Sequence, residues 1–165
     1  MSVKTKVIQD SLLGLAIAIT FVSLTNTSSA LAQLDQPQAF TTQMSGGEEV
    51  PSVSTTSTGT AEFNLGSEGI DYQVSVTGVS NVTSISINSG NVGENGPVIV
   101  TLFRPNASAD LANDVEAGGT ITASDLEGPM QGKEISDLVS AMSSGVTYVN
   151  VLTQANPDGE IRGQN

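Results

Sequence analysis

The sequence predicts an all-β domain: an antiparallel sandwich or barrel of seven to eight short strands, with Greek-key or immunoglobulin-like connections and one short helix. Three observations carry this. Ile70, Tyr72, Val74 and Val76 alternate with Asp71, Gln73 and Ser75, the period-two pattern of a strand with one buried face. Turn residues punctuate the chain, above all Gly66-Ser67-Glu68-Gly69 and Asn156-Pro157-Asp158-Gly159. Only one stretch shows a helical stripe long enough to matter, and the remaining apolar residues fall in short runs separated by glycine-rich turns.

The N-terminus comes first. Lys4 and Lys6 precede an apolar run of 13 residues from Leu12 to Leu24, and Ser28-Ser29-Ala30-Leu31-Ala32 supplies small residues for cleavage. That order predicts a secretory signal over residues 1–32, cut after Ala32. The run is short against the roughly 20 residues that a membrane-spanning helix needs. Residues 33–38 read as a linker and 39–165 as the folded domain. The protein is therefore expected outside the cell or in its envelope, in the periplasm where an outer membrane exists, with no stable membrane insertion after cleavage.

Along the domain, β signals begin at Ala39-Phe40. Ala61, Phe63 and Leu65 alternate with polar residues ahead of the Gly66–Gly69 turn, and Ser/Thr-rich 52–60 reads as an edge strand or loop. Val82, Ile85 and Ile87, then Val98, Val100 and Leu102, offer two further strands, and 118–122 a short one. Ile135, Leu138, Val139 and Met142 fall at i, i+3, i+4 and i+7, which predicts a helix over 133–143 ending before Gly145. Val146, Tyr148, Val149 and Val151 form a strand. Asn156–Gly159 should then turn the chain into a last strand, Glu160–Gly163.

Charge and composition exclude several functions. Asp10, Lys4 and Lys6 lie in the leader, so residues 33–165 hold three bases (Arg104, Lys133, Arg162) against sixteen acids, a formal net charge of −13. Such a surface repels phosphate backbones and anionic lipid, so neither nucleic acid nor a membrane surface is expected as a partner. The chain has neither Cys nor His, so thiol, zinc and copper chemistry lack their usual ligands. Lys133 is the domain's sole lysine, and Met130 stands where a Ser-x-x-Lys motif needs serine. Carboxylate pairs such as Glu48 with Glu49, or Asp158 with Glu160, are the one catalytic arrangement that composition permits. Few aromatics (Phe40, Phe63, Tyr72, Phe103, Tyr148) are present to make a sugar platform beside them, so no enzyme, catalytic residue or cofactor is expected.

Calcium is the sharper alternative. Asp110, Asn113, Asp114 and Glu116 gather oxygen donors in one loop, without the alternation or central glycine of an EF-hand. Sequons at Asn81 and Asn106 are candidate glycosylation sites. Glu160 and Arg162, two apart on a strand, are expected to form a structural ion pair.

Four pieces in order resemble one family. Glu49-Val50-Pro51 after Ser45-Gly46-Gly47, Gly96-Pro97-Val98 before a strand, Tyr148-Val149-Asn150-Val151, and the closing Pro157-Asp158-Gly159-Glu160-Ile161-Arg162-Gly163-Gln164 are together similar to the CHRD (chordin-type) domain. The resemblance implies an extracellular β module with no known enzymatic reaction. Family members commonly carry His-Ile-His before the Gly-Pro strand and a further His after Tyr-Val-Asn-Val. Here Ser86, Asn88 and Leu152 stand there. Histidines two apart on a strand share a face, as a metal or proton-relay site requires. Three functions follow as expectations: a non-catalytic module binding an extracellular protein or cell-envelope component, a calcium-dependent adhesion domain, or a scaffold whose metal site has been lost.

Overall fold

The computed structural model describes residues 38–105 and 114–165. Its eight strands are β1 (Ala39–Ser45), β2 (Thr58–Leu65), β3 (Ile70–Thr77), β4 (Val82–Ser89), β5 (Val98–Phe103), β6 (Val115–Ile121), β7 (Thr147–Thr153) and β8 (Ile161–Gln164). One helix, α1 (Ile135–Ser143), precedes β7. All the strands pair antiparallel in one sheet of order β5-β4-β7-β8-β1-β2-β3-β6. Of the two expected architectures, the nearly closed barrel is the one observed. Its open seam lies between β5 and β6, where the Tyr72 hydroxyl donates to the Leu102 carbonyl at 2.6 Å and Val100 bridges to Leu126. Among the described residues no helix is long and apolar enough to cross a membrane.

The interior follows from alternation. Ala61, Phe63, Val74, Val76, Ile87, Val149, Val151 and Ile161 are buried in one core, while Glu62, Asp71 and Gln73 face solvent. Leu65 breaks its strand's pattern: it ends β2 and is 39 % exposed. Val82 and Ile85 both reach the core although they stand an odd number of positions apart, because a register shift between Val82 and Ser84 resets the alternation. Ile99 and Val100 are adjacent and both buried. One face of β5 packs in the barrel, and the segment around Leu126 and Glu127 covers the strand, with the Glu127 N–H donating to the Ile99 carbonyl at 2.9 Å.

The turns are those the sequence predicts. The Gly66 N–H donates to the Gly69 carbonyl at 2.8 Å, closing the β2–β3 hairpin. The Gly159 N–H donates to the Asn156 carbonyl at 3.2 Å, closing β7–β8. Residues 51–57 form no strand, and the 118–122 strand is longer than expected, running from Val115 to Ile121. The helix starts at Ile135 rather than Lys133, because the Asp137 carboxylate accepts the Glu134 N–H and fixes the first turn there. Leu138, Val139 and Met142 bury its apolar stripe, and Gly145 leaves the helix at φ +67.

Candidate functional site

Burial on both faces of β7 marks the site. Val149 and Val151 point to the core, so Tyr148, Asn150 and Leu152 stand on the outer face, yet Tyr148 and Asn150 are also buried. The cover comes from the segments around Val50-Pro51, Asn95–Val98 and Pro157-Asp158. These enclose a cleft of about 330 Å³ whose floor is Ser86 and Asn88 of β4 with Tyr148, Asn150 and Leu152 of β7. The sheet register sets Ser86 opposite Asn150, Asn88 opposite Tyr148, and Ser84 opposite Leu152.

Arg162 anchors this cover. It is 1 % exposed, its guanidinium stacked 3.5 Å above the centroid of the Tyr148 ring. A desolvated contact of that kind contributes about 2 kcal/mol. Its N–H groups donate to Asn95 Oδ1 (3.2 Å), the Asn91 carbonyl (3.1 Å) and Gln164 Oε1 (3.3 Å). Asn95 in turn donates to the Val50 carbonyl at 2.5 Å, tying the two covering segments together. The Tyr148 hydroxyl accepts the Gly96 N–H at 3.0 Å and donates to the Gly96 carbonyl at 3.3 Å. Asn88 donates to that same carbonyl at 2.9 Å and accepts from Ser86 Oγ at 2.7 Å.

The expected Glu160–Arg162 ion pair is absent among the contacts of the described residues. Glu160 accepts instead from Ser57 (3.4 Å), Thr153 (3.1 Å) and Asn156. Burial pushes its carboxyl up, but the hydrogen bonds from Thr55, Asn156, Thr153 and Ser57 outweigh this and hold it below the usual range. Each side chain is satisfied by neutral partners of its own, Glu160 by Ser57, Thr153 and Asn156 and Arg162 by Asn91, Asn95 and Gln164.

Glu49 behaves in the opposite way. Burial raises its carboxyl to about 7, against the lowering effects of the Arg162 charge and the Val50 N–H, and Glu160 adds a small further rise. Its Oε1 has no hydrogen-bond partner, and neither does Asn150 Oδ1. The Asn150 amide group donates to the Asp158 carbonyl at 3.2 Å. Gly159 packs against the Glu49 carboxylate so closely that a Cβ there would lie 2.5 Å from both oxygens, at a backbone φ of +149. Only glycine fits.

Eleven of the residues that carry the family resemblance therefore converge. Val50 and Pro51 (after a cis peptide), Gly96, Tyr148 and Asn150 line the cleft, Pro97 lies in its cover, Arg162 and Gly163 stand on β8, and Glu49, Gly159 and Glu160 adjoin these segments in the chain or across a second, smaller hollow. Gly163 lets β8 approach β1, since a Cβ there would meet the Gln43 carbonyl oxygen at 2.3 Å. Ser86, Asn88 and Leu152 all line this one cleft. They do not suit a transition metal: the Asn88 amide is engaged by Ser86 and Gly96, and Leu152 has no donor atom. Among the described residues no three His, Cys, Asp or Glu side chains gather as a metal site would need.

The other candidates lie elsewhere. Glu48 is exposed and Glu49 buried, while Asp158 is exposed and Glu160 held by its donors, so neither pair shares one environment. Asp114 accepts the Gly78 N–H at 3.3 Å, and Glu116 is exposed on β6 opposite Ser75. Asp110, Asn113 and Asn106 lie outside the described residues. Asn81 is exposed at φ 55 in the turn before β4. Asn91 and Asn95 were not singled out by sequence. Polar residues in a loop carry no periodic signal, and only the fold shows that they hold Arg162.

A family model described as CHRD domain matches residues 40–165. No curated protein and no solved structure matches the chain significantly. The chain belongs to the CHRD domain family.

Proposed function

We propose that this protein is a non-catalytic binding module of the cell exterior, which receives an extracellular protein or cell-envelope component in the cleft over β4 and β7. Domains of the family are generally non-enzymatic modules and typically extracellular. The observation that carries the reading is the composition of the cleft. Its floor offers a hydroxyl and two carboxamides beside Leu152, between apolar walls of Val50, Pro51 and Val98, with Asp158 at the rim. That is a recognition surface, apolar with a few placed polar groups, and it holds no nucleophile beside a base. The secretory signal expected over residues 1–32 supports export.

Labelled protein added to intact cells of its source should bind saturably. Leu152→Trp, which fills the half-exposed floor position with an indole, should abolish that binding while leaving the melting temperature within a few degrees. Equal binding by both proteins would overturn the proposal.

A second reading concerns origin. Because Ser86, Asn88 and Leu152 converge on one cleft, the site is a metal-type pocket whose ligands have been replaced. Restoring Ser86→His, Asn88→His and Leu152→His together should create tight Cu²⁺ or Zn²⁺ binding, measured by titration calorimetry. No gain over the parent protein would count against it.

A further inference from the structure

Two hollows share a rim. The cleft over β4 and β7 and a smaller one of about 180 Å³ beside Glu49 are both bounded by Val50, Pro51, Pro157 and Asp158. Each is lined by one residue with an unpartnered acceptor, Asn150 Oδ1 in the first and Glu49 Oε1 in the second. Both residues are more than nine-tenths buried, at 5 % and 6 % exposure. Folded proteins keep few buried acceptors without a donor, and each such group calls for a reason. The neighbouring donors are already engaged. The Asn150 amide serves the Asp158 carbonyl, and the Arg162 guanidinium serves Asn91, Asn95 and Gln164. Above about pH 7, where Glu49 is ionised, what the paired hollows lack is a donor.

Resting on the reading of this cleft as the binding site, we infer that the paired hollows take a basic side chain of a protein partner, a guanidinium or ammonium head that donates to Asn150, Glu49 and Asp158. Lysine and arginine carry donors and no acceptor, the complement of three acceptor groups. Asp158 is exposed on the shared rim and meets the guest first. The apolar stem of either side chain lies along Val50, Pro51 and Pro157. The net charge of −13 over residues 33–165 attracts basic partners from a distance. A metal ion fits these acceptors less well, since no three acidic side chains gather there among the described residues.

The purified protein would be titrated by calorimetry with acetyl-Gly-Arg-Gly-amide, its lysine counterpart, and the same peptide with neutral citrulline. The arginine or lysine peptide should bind saturably and the citrulline peptide at least about tenfold more weakly, a difference of about 1.4 kcal/mol. Asp158→Asn keeps the backbone carbonyl that Asn150 uses, and Asn150→Leu removes the unpartnered oxygen. Each should weaken the cationic peptide about tenfold or more. Citrulline binding equal to arginine, or affinity unchanged in both variants, would overturn the inference. Binding of a neutral envelope oligosaccharide or of Ca²⁺ in place of the peptides, lost in Asn150→Leu, would also overturn the basic guest. It would leave the cleft standing as the binding site.

Discussion

Replacing Glu49 by Gln isolates one electrostatic contribution to stability. The carboxyl is raised from 4.5 to about 7 chiefly by burial, so the folded protein binds a proton between those values that the unfolded chain releases. Stability linked to Glu49 is therefore full below the unfolded value and is lost as pH rises through about 7. At about 1.4 kcal/mol per tenfold change in proton affinity, the shift corresponds to at most roughly 3 kcal/mol, and solvent reaching the hollow beside it reduces this to about 2 kcal/mol. Gln keeps the shape and cannot ionise. Urea unfolding at pH 4.5 and pH 8 should show the two proteins nearly equal in acid and the variant about 2 kcal/mol more stable in base. Glu160, whose carboxyl is held low, works in the opposite direction, with stability lost as pH falls through its lowered value. The wild-type-minus-variant difference cancels it. A variant less stable than wild type at pH 8, or a difference independent of pH, would refute the reasoning.

Three further outcomes are expected. Gly159→Ala places a methyl group 2.5 Å from both Glu49 oxygens at a φ that side chains rarely adopt, and should lower stability by about 2 kcal/mol or more in urea titrations. Tyr148→Phe removes both hydroxyl contacts to Gly96 but keeps the ring under Arg162, so it should cost about 1 kcal/mol and speed amide exchange at Gly96 and its neighbours more than in the core. If the acidic loop binds calcium, millimolar Ca²⁺ should raise the melting temperature of wild type and not of Asp114→Ala. No rise in either protein would end the calcium-dependent adhesion reading.

Much of the barrel was legible because strand periodicity and turn chemistry act locally. The Ile70–Val76 alternation and the Gly66–Gly69 and Asn156–Gly159 turns translate directly into β2–β3 and β7–β8. The Ile135–Met142 stripe likewise became a helix, trimmed by two residues at its start. Harder to read were features that depend on tertiary cover. Ile99 and Val100 are buried together, because the segment near Leu126 crosses β5. The expected Glu160–Arg162 pair failed for the same reason, since strand spacing shows which face two residues share but not which loops supply better partners. The site was half legible. The family-type residues from Glu49 to Gly163 pointed to it as separate pieces, and only folding shows that they meet around Arg162. Asn91 and Asn95 left no trace in the sequence at all.

The cleft over β4 and β7 is the proposed seat of the partner. Hydrogen exchange of the protein, free and bound to its isolated cell-surface partner, tests this most directly. New protection should concentrate in Val50–Val53, Asn95–Val98, Tyr148–Leu152 and Asn156–Gly159. Protection centred instead on the exposed face of β2 and β3, with those segments unchanged, would contradict it.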